Sequence, residues 1–291
     1  MADPAIALLP YGLRLGPDLA QVPVSDLIWP LGRPDRLSGA TVGQMDRNDH
    51  IIMFPNTMAH FRLRRGTKAR ISLMMGEPAA IHAKHIKLLR YTWRRFFRVF
   101  TFHEELLRTL PNAVFLPYGT TWVPEWRDLS LEKTKSCSLI ASAKRDTTGH
   151  QLRHAIVEWV RETGQEVDIM GRGYTPFERK ADGLAPYRFS VVIENVQEPN
   201  YFSEKLIDAI LCNTVPIYWG CPNIEQFLDT TGMILCNSEA DIRRAVEMVS
   251  VEDFEKRLPH IQAIQPVAAQ YGDFERRAAE ALRDQLQPRS D

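Results

Sequence analysis

The sequence predicts an α/β protein made of two halves, each with a parallel sheet flanked by helices. Along most of the 291 residues, short apolar runs alternate with segments of helical periodicity. That alternation is typical of parallel α/β folds. It lapses once, in the polar and Pro-containing stretch at residues 118–136, which we interpret as a linker. A chain of this length can form two domains that each bury a core of their own.

The first half begins with short apolar runs that end in turn signals. They predict strands at the following segments: "AIALLPYG", "DLIWPLG", "HIIMFPN" and "ARISLMMGEP". A helix is predicted at "HAKHIKLLRYTWRRFF", where apolar and basic residues alternate with a nearly helical period. A strand, a short helix and another strand follow in "RVFTFHEELLRTLPNAVFLPYG". We therefore expect a first domain at residues 1–124.

The second half restarts the alternation and is expected to form a domain at residues 125–251. Strands are predicted at "CSLIASAK", "EVDIMGRGY", "RFSVVIEN", "TVPIYWG" and "GMILCNS". Helices are predicted at "GHQLRHAIVEWVRETG", "SEKLIDAILCN", "NIEQFL" and "EADIRRAVEMVS". The charged remainder, residues 252–291, is predicted to be a helical tail. Open α/β sheets bind ligands beyond the carboxyl ends of their strands, and two-domain enzymes bind them between the domains. Polar residues at strand ends are therefore the candidates for a site.

Composition excludes several classes of protein. Lys plus Arg and Asp plus Glu balance at 36 each, so the net charge gives no reason to expect bulk binding to nucleic acid or anionic lipid. The sequence shows neither an apolar membrane span nor the basic and apolar regions of a secretory signal, and we expect a cytoplasmic protein. The four cysteines lack CxxC spacing and are predicted to be buried free thiols: Cys137, Cys212, Cys221 and Cys236.

One helix start is expected to bind phosphate. Ser203 is a good N-cap, and the helix after it has a single apolar face. The first turn of a helix offers free N–H groups and a partial positive charge, and Lys205 adds a formal charge there. Glu204 could hydrogen-bond a pair of ribose hydroxyls, although acids are also common at helix starts. The alternative for Lys205 is an ordinary solvated lysine on a surface helix.

Polar residues at the end of the preceding strand join this candidate site. "VVI" is apolar enough to be buried on both faces, and it ends in Glu194 and Asn195 at the edge where a ligand is expected. The alternative is a polar strand exit in which Asn195 forms a turn. Tyr201, in the loop that follows, is expected either to stack on a base or sugar or to pack in the core.

A second cation is predicted at the start of another helix. Arg153 lies near the beginning of a helix that follows a strand, as Lys205 does. Two such cations on neighbouring strand–helix units would converge on a diphosphate, and the planar guanidinium can bind two phosphate oxygens together. Lys144 and Arg145, at the preceding strand end, are alternatives for the role, and a surface charge is the alternative for Arg153.

The first half offers one carboxylate at a strand end. Glu77 in "MMGEPAA" could act as the general base for a hydroxyl nucleophile, or could simply begin a helix. His82 and His85 could share a helix face, but two histidines are an incomplete metal-ligand set, and a solvated face is favoured. The basic and aromatic cluster at residues 93–98 permits nucleic-acid binding, but balanced charge elsewhere favours a helix with one wet face.

Missing motifs narrow the chemistry further. The sequence contains no GxxxxGK[ST] loop, and Gly171-Arg172-Gly173 lacks the last glycine of a dinucleotide fingerprint. It contains no DxD pair to carry a divalent cation under a diphosphate, so protein cations would have to stabilise a leaving diphosphate. The absence of GxSxG and HExxH argues against the common hydrolases.

The segment "YRFSVVIEN…YFSEKLIDAILCNTVPIYWG" resembles the signature of glycosyltransferase family 10, the α1,3/4-fucosyltransferases. The family pattern is a Y-K/R-F strand, E-N, Y-V-T-E-K, a helix, and T-V/I-P-I/V-x-x-G. This chain departs from it at Phe202 and Ser203. "VDIMGRG" and "FTFHEELLRTLPNAVFLPYGTTWV" resemble other parts of the family. The resemblance extends over about residues 72–234, and the first 60 residues match nothing in it.

The resemblance implies a GT-B fold, in which two Rossmann-like domains face a central cleft and a C-terminal helical tail packs back toward the first domain. It implies an inverting fucosyltransferase that uses GDP-fucose, with an acceptor oligosaccharide or glycolipid such as a lipopolysaccharide O-antigen unit, and no metal cofactor. Arg153 and Lys205 match diphosphate contacts, and Glu77 matches the general base. Asn195, Tyr201 and Glu204 match positions lining the nucleotide site, to which the strand-end argument adds Glu194. The alternatives are transfer from another GDP-sugar and a non-catalytic nucleotide-sugar-binding module. With no anchor in view, the location expected is the cytoplasm, with peripheral attachment to a membrane as an option.

Overall fold

A computed structural model describes residues 3–286 of the chain and divides them into two compact units. Unit 1 contains the residues up to Tyr118 together with those from Phe274 onward, and unit 2 contains Gly119–Asp273. Each unit has a five-stranded sheet whose strands are all parallel. The α/β class predicted from the sequence is therefore confirmed.

Unit 1 has its strands in sequence order, β1-β2-β3-β4-β5. They are β1 (Ile6–Leu8), β2 (His50–Met53), β3 (Arg70–Met74), β4 (Val99–Thr101) and β5 (Ala113–Phe115). The helices are α1 (Ala79–Thr92), α2 (Glu104–Thr109) and, from the far end of the chain, α7 (Phe274–Leu286). Both faces of the sheet are buried, because Ile6 and Leu8 pack with α7 while Ala7 packs into the core on the other face.

One predicted strand of unit 1 is wrong. "DLIWPLG" forms no strand; Ile28 makes an isolated antiparallel bridge to Leu8, with mutual backbone hydrogen bonds of 2.8 and 3.0 Å. A 3₁₀ turn at Val24–Asp26 precedes it, and Pro30 follows closely. Proline supplies no N–H donor, so the pairing does not extend.

Unit 2 has the strand order β10-β9-β8-β6-β7. The strands are β6 (Lys135–Ile140), β7 (Val167–Met170), β8 (Tyr187–Ile193), β9 (Val215–Trp219) and β10 (Ile234–Leu235). The helices are α3 (Thr148–Thr163), α4 (Glu204–Leu211), α5 (Glu239–Met248) and α6 (Val251–Tyr271). The segment predicted as a helical tail thus contains α6 in unit 2 and α7 in unit 1.

The order of the strands in unit 2 identifies where a ligand is expected. After β6 the chain moves outward to β7, but after β8 it moves in the opposite direction to β9. Because such connections are right-handed, α3 and α4 lie on opposite faces of the sheet. The carboxyl ends of β6 and β8 therefore form a topological switch point, which is the usual ligand site of an open α/β sheet.

Two sequence expectations about the chain's surroundings can be compared with the structure. All four cysteines are free and buried, as predicted. Among residues 3–286, no helix combines the length and apolar character needed to cross a membrane.

Candidate functional site

The start of α3 touches the end of β8 directly. The Gly149 N–H donates to the Asn195 carbonyl at 2.9 Å, and a β-carbon on Gly149 would lie 1.8 Å from the Glu194 carbonyl oxygen. Such a close approach leaves room only for glycine at this position. The first turn of α3 is thereby fixed at the switch point.

Glu194 joins the end of β8 to the start of α4. Its side chain is fully buried, and its two oxygens accept hydrogen bonds from the Ser203 N–H at 2.7 Å and the Ser203 hydroxyl at 2.6 Å. The Lys205 ammonium lies 3.5 Å from the same carboxylate. The sequence argument placed Glu194 among the nucleotide-binding residues; in the structure its carboxylate is occupied by the N-cap and by Lys205, so it positions them.

Lys205 is held in the first turn of α4 by a network of polar groups. Its Nζ atom donates to the Ser203 hydroxyl at 3.0 Å and to the Glu204 carboxylate at 3.2 Å. Burial lowers the pKa of Lys205, but the attraction of Glu204 and Glu194 outweighs burial and raises it overall, so the side chain stays charged. About a quarter of the side chain remains exposed to a ligand.

The pKa of the Glu204 carboxylate is lowered by the cations of this network. Burial alone would raise its pKa, but Lys205 and Lys180 lower it to about 2. The Lys180 ammonium lies 3.9 Å from Glu204 and 2.8 Å from Asp208, one helical turn further along α4. Glu204 is therefore ionised and can accept hydrogen bonds from ligand hydroxyls.

Arg153 reaches the same strand end from α3. Its Nε and Nη2 atoms donate to the Ile193 carbonyl at 3.0 and 2.8 Å, and Nη2 also donates to the Asn195 side-chain oxygen at 2.9 Å. Burial lowers the pKa of Arg153, and Glu194 partly offsets that effect. Its third nitrogen, Nη1, forms no hydrogen bond within the described part of the chain. The two predicted cations thus meet at one strand end, whereas Lys144 and Arg145 are exposed.

The loop between β8 and α4 is ordered by a pair of asparagines. Asn200 has a positive φ of 66°, and its N–H donates to the Asn223 side-chain oxygen at 2.8 Å. The Asn223 amide donates in return to the Asn200 side chain at 2.9 Å. Tyr201 is almost fully buried, so of its two sequence-based roles the structure favours packing over stacking on a base.

Glu77 lies in unit 1, where it follows β3 and precedes α1. Its side chain is exposed, and the preceding Gly76 is packed so closely that a β-carbon there would lie 2.8 Å from the Tyr118 ring. The close packing of Gly76 therefore holds Glu77 at the carboxyl edge of the unit 1 sheet. The sequence predicted a general base for a bound hydroxyl at this edge.

The predicted solvated face of His82 and His85 is wrong for His82. His82 is buried, its ring centroid lies 5.7 Å from that of His85, and His60 Nε2 lies 3.1 Å from His85 Nδ1. Burial and the neighbouring histidines hold the pKa of His82 at about 3 and that of His60 at about 4. Across residues 3–286, no group of three or more His, Cys, Asp or Glu side chains could hold a metal ion.

Two units that each contain a parallel α/β sheet are the architecture of the GT-B class of fold. The chain is similar to the crystal structure of TarM with a TM-score of 0.50 and 11% identity, covering 83% of this chain and 54% of that one. Residues 130–256 match the model of glycosyltransferase family 10 (fucosyltransferase), C-terminal domain. The family predicted from the sequence is thus confirmed for this part of the chain.

Curated relatives agree with that family. The chain is 27% identical over 163 residues to a fucosyltransferase-like protein of Arabidopsis thaliana. The matched region covers 55% of this chain and 30% of the relative. It is 29% identical over 72 residues to the alpha-(1,3)-fucosyltransferase FucT of Helicobacter pylori. This matched region covers 25% of this chain and 15% of the relative. The chain therefore spans less than a third of the length of either relative.

Proposed function

We propose that the protein is an inverting glycosyltransferase that moves L-fucose from GDP-fucose to a hydroxyl of an acceptor glycan. The observation that carries this proposal is that two cations meet at one switch point: Arg153, which is buried in the second turn of α3, and Lys205, which is partly exposed in the first turn of α4. The family match at residues 130–256 includes both of them. It supports a nucleotide-activated fucose as the donor.

In the proposed donor site, each residue has a separate task. The diphosphate lies against the first turn of α4, within reach of the Lys205 ammonium and the free Nη1 of Arg153. Glu204 accepts hydrogen bonds from the ribose hydroxyls. Glu194 does not touch the donor; it holds Ser203 and Lys205 in place. The Asn195 side chain contacts both Arg153 and the nucleotide.

The proposed reaction is a single displacement. The Glu77 carboxylate takes the proton of the acceptor hydroxyl while that oxygen attacks the anomeric carbon of fucose. The bond from this carbon to the β-phosphate oxygen breaks, and its electron pair leaves with GDP. Lys205, Arg153 and the helix start stabilise the charge that grows on the diphosphate, so the mechanism needs no divalent cation. The proposed location is the cytoplasm, and the proposed linkage is α1,3 to N-acetylglucosamine or glucose.

A Lys205→Ala variant tests the donor site. Removing one donor that stabilises a leaving group costs on the order of 100-fold or more in turnover. Transfer from GDP-fucose to a glycan array, read by mass spectrometry, gives the acceptor and the rate together. Lys256→Ala removes an exposed lysine of α6 as a control. Near-normal turnover by Lys205→Ala, in protein shown to be folded, would overturn the assignment of the diphosphate site.

Glu77→Gln tests the base separately. We expect it to bind GDP-fucose as the unmodified protein does and to lose transfer, because the amide cannot accept the proton. Lost donor binding would instead make Glu77 a structural residue. A panel of GDP-sugars distinguishes a different donor, and GDP binding without transfer or hydrolysis would favour a non-catalytic binding module.

A further inference from the structure

The balanced net charge of the chain conceals a large local excess of basic residues. Residues 50–103 contain 11 Lys or Arg but a single carboxylate, Glu77. The rest of the chain therefore carries 25 Lys or Arg (36 minus 11) against 35 Asp or Glu (36 minus 1). The net charge of the whole chain therefore does not describe the local charge of this segment.

The fold of unit 1 brings the two halves of this basic segment together. The 3₁₀ turn at Thr57–His60 packs on α1, with His60 Nδ1 at 2.8 Å from the Thr92 hydroxyl. Next to it, Arg65 donates to the Arg95 carbonyl at 2.7 Å, and Arg95 donates to the carbonyl of Arg62. Residues 58–65 and the end of α1 thus lie side by side on unit 1.

Large apolar side chains protrude from this same region. Leu63 is 88% exposed and Tyr91 is 86% exposed, and Phe61 is half exposed. We call these three, together with Arg62, Arg64 and Arg94, the basic face; all three arginines are exposed. Within residues 3–286, none of the three arginines forms an ion pair with a carboxylate. Arg94 stacks on the Trp93 ring at 4.5 Å and Phe61 lies near His60, but much of the surface of these side chains remains exposed.

We propose that the basic face docks on the surface of a membrane that contains anionic phospholipids. Exposed apolar groups interleaved with arginines are what an interfacial site requires, because the apolar groups enter the acyl boundary while the guanidinium groups meet phosphates. The long arginine stems lie along the apolar surface and keep their charges in the headgroup layer. Leu63, the most exposed of the three apolar side chains, has no π-face and suits an acyl boundary. Phe61 and Tyr91 could also stack on bases, so binding of RNA is an outcome that the test must distinguish.

Vesicle sedimentation of the full chain tests the proposal. We expect binding to phosphatidylcholine vesicles that contain phosphatidylglycerol, and little binding to phosphatidylcholine alone. Each basic residue near an anionic surface contributes ~1 kcal/mol, or about fivefold in partitioning. Arg62→Gln/Arg64→Gln should therefore weaken binding about 30-fold, and Leu63→Ser/Tyr91→Ser should weaken it without removing charge. Binding should also fall when ionic strength rises from about 0.1 M to 1 M, since the Debye length shrinks from ~10 to ~3 Å.

A matched control replaces an exposed apolar and an exposed basic residue of unit 2. Met248→Ser/Lys256→Gln should bind vesicles as the unmodified protein does. Equal binding to neutral and anionic vesicles, or equal loss in the control, would overturn the proposal. So would capture of the protein by RNA or by an acidic polypeptide in the absence of vesicle binding. GDP binding by each variant reports separately on the donor site, so the failure of one proposal is distinguishable from the failure of the other.

Discussion

Lys205→Met removes a cation that lies between two buried carboxylates, Glu194 and Glu204, at the start of α4. The Lys205 ammonium lies 3.2 Å from Glu204 and 3.5 Å from Glu194, which otherwise keep Lys180 and Ser203 as partners, respectively. Methionine keeps an unbranched apolar side chain one atom shorter than that of lysine, and it removes the ammonium with its charge and hydrogen bonds. The substitution therefore measures what the ammonium contributes to the stability of unit 2, apart from any role toward a ligand.

The size of the effect follows from the burial of the network. Breaking a buried ion pair by removing one partner typically costs about 3–5 kcal/mol. About a quarter of the Lys205 side chain is exposed, so solvent screens part of this, and we expect about 2–3 kcal/mol. The pKa of Glu204 gives a second comparison: its net fall from 4.5 to about 2 corresponds to ~3 kcal/mol, by which the attraction of Lys205 and Lys180 exceeds the cost of burying the carboxylate.

Urea unfolding of Lys205→Met, Glu204→Gln and the double variant forms the assay. In the double variant the neutral glutamine side chain at position 204 no longer needs a cation, so we expect this protein to be more stable than the two single losses added together would give, by about 1–3 kcal/mol. Lys256→Met, which loses an exposed pair with Glu252, should cost under ~1 kcal/mol. If Lys205→Met were as stable as this control, or if the two losses added without coupling, the network would not be holding the helix start.

Three other variants or conditions test further features of the two units. Gly149→Ala should destabilise unit 2 by several kcal/mol, because its β-carbon would meet the Glu194 carbonyl oxygen; a loss of only about 0.5 kcal/mol in urea unfolding, as for an ordinary surface change, would contradict this. Asn200→Ala should cost about 1–2 kcal/mol more than Asn200→Gly, since its φ of 66° is strained for alanine; equal midpoints in urea would contradict this. Acid should destabilise unit 1: the pKa values of His50 and His60 are about 4 and that of His82 is about 3, against 6.5 when unfolded, so the stability that each contributes is present above pH 6.5 and is lost as pH drops, by about 2 kcal/mol for each histidine at pH 5. Unfolding free energies that stay flat from pH 7 to pH 5, or a slope that His82→Gln leaves unchanged, would refute that reasoning.

The sequence predicted best those elements whose local residue pattern is compatible with only one type of secondary structure. β8 is apolar over most of its length, and Ser203 followed by a one-sided apolar segment predicts a capped helix. Both appear where expected, with the Ser203 hydroxyl accepting from the Lys205 N–H at 3.3 Å. "DLIWPLG" shows the limit of this approach. Its apolar content suits a strand, but a strand also needs a run of backbone partners, and proline leaves Ile28 with a single bridge.

The supporting residues of the site could not be predicted in the same way. Gly149 matters because of a contact with Glu194, 45 positions away, and Asn223 because of a contact with Asn200 across the next strand. Neither pairing leaves a local signal in sequence, since Gly and Asn are common in turns for other reasons. Lys205 could be predicted as a cation at a helix start, but the two carboxylates that fix it became apparent only from packing.

The charges around α4 suggest how the proposed donor site distinguishes its ligand. Three cations, Arg153, Lys180 and Lys205, lie among three carboxylates, Glu194, Glu204 and Asp208. Counted by formal charges, this cluster is neutral, so it offers a diphosphate little long-range attraction. It offers instead groups that are already fixed in direction, because every cation is held by a carboxylate or a backbone carbonyl. Affinity would then come from pre-organised donors, whose ordering cost is met when the protein folds rather than when the ligand binds.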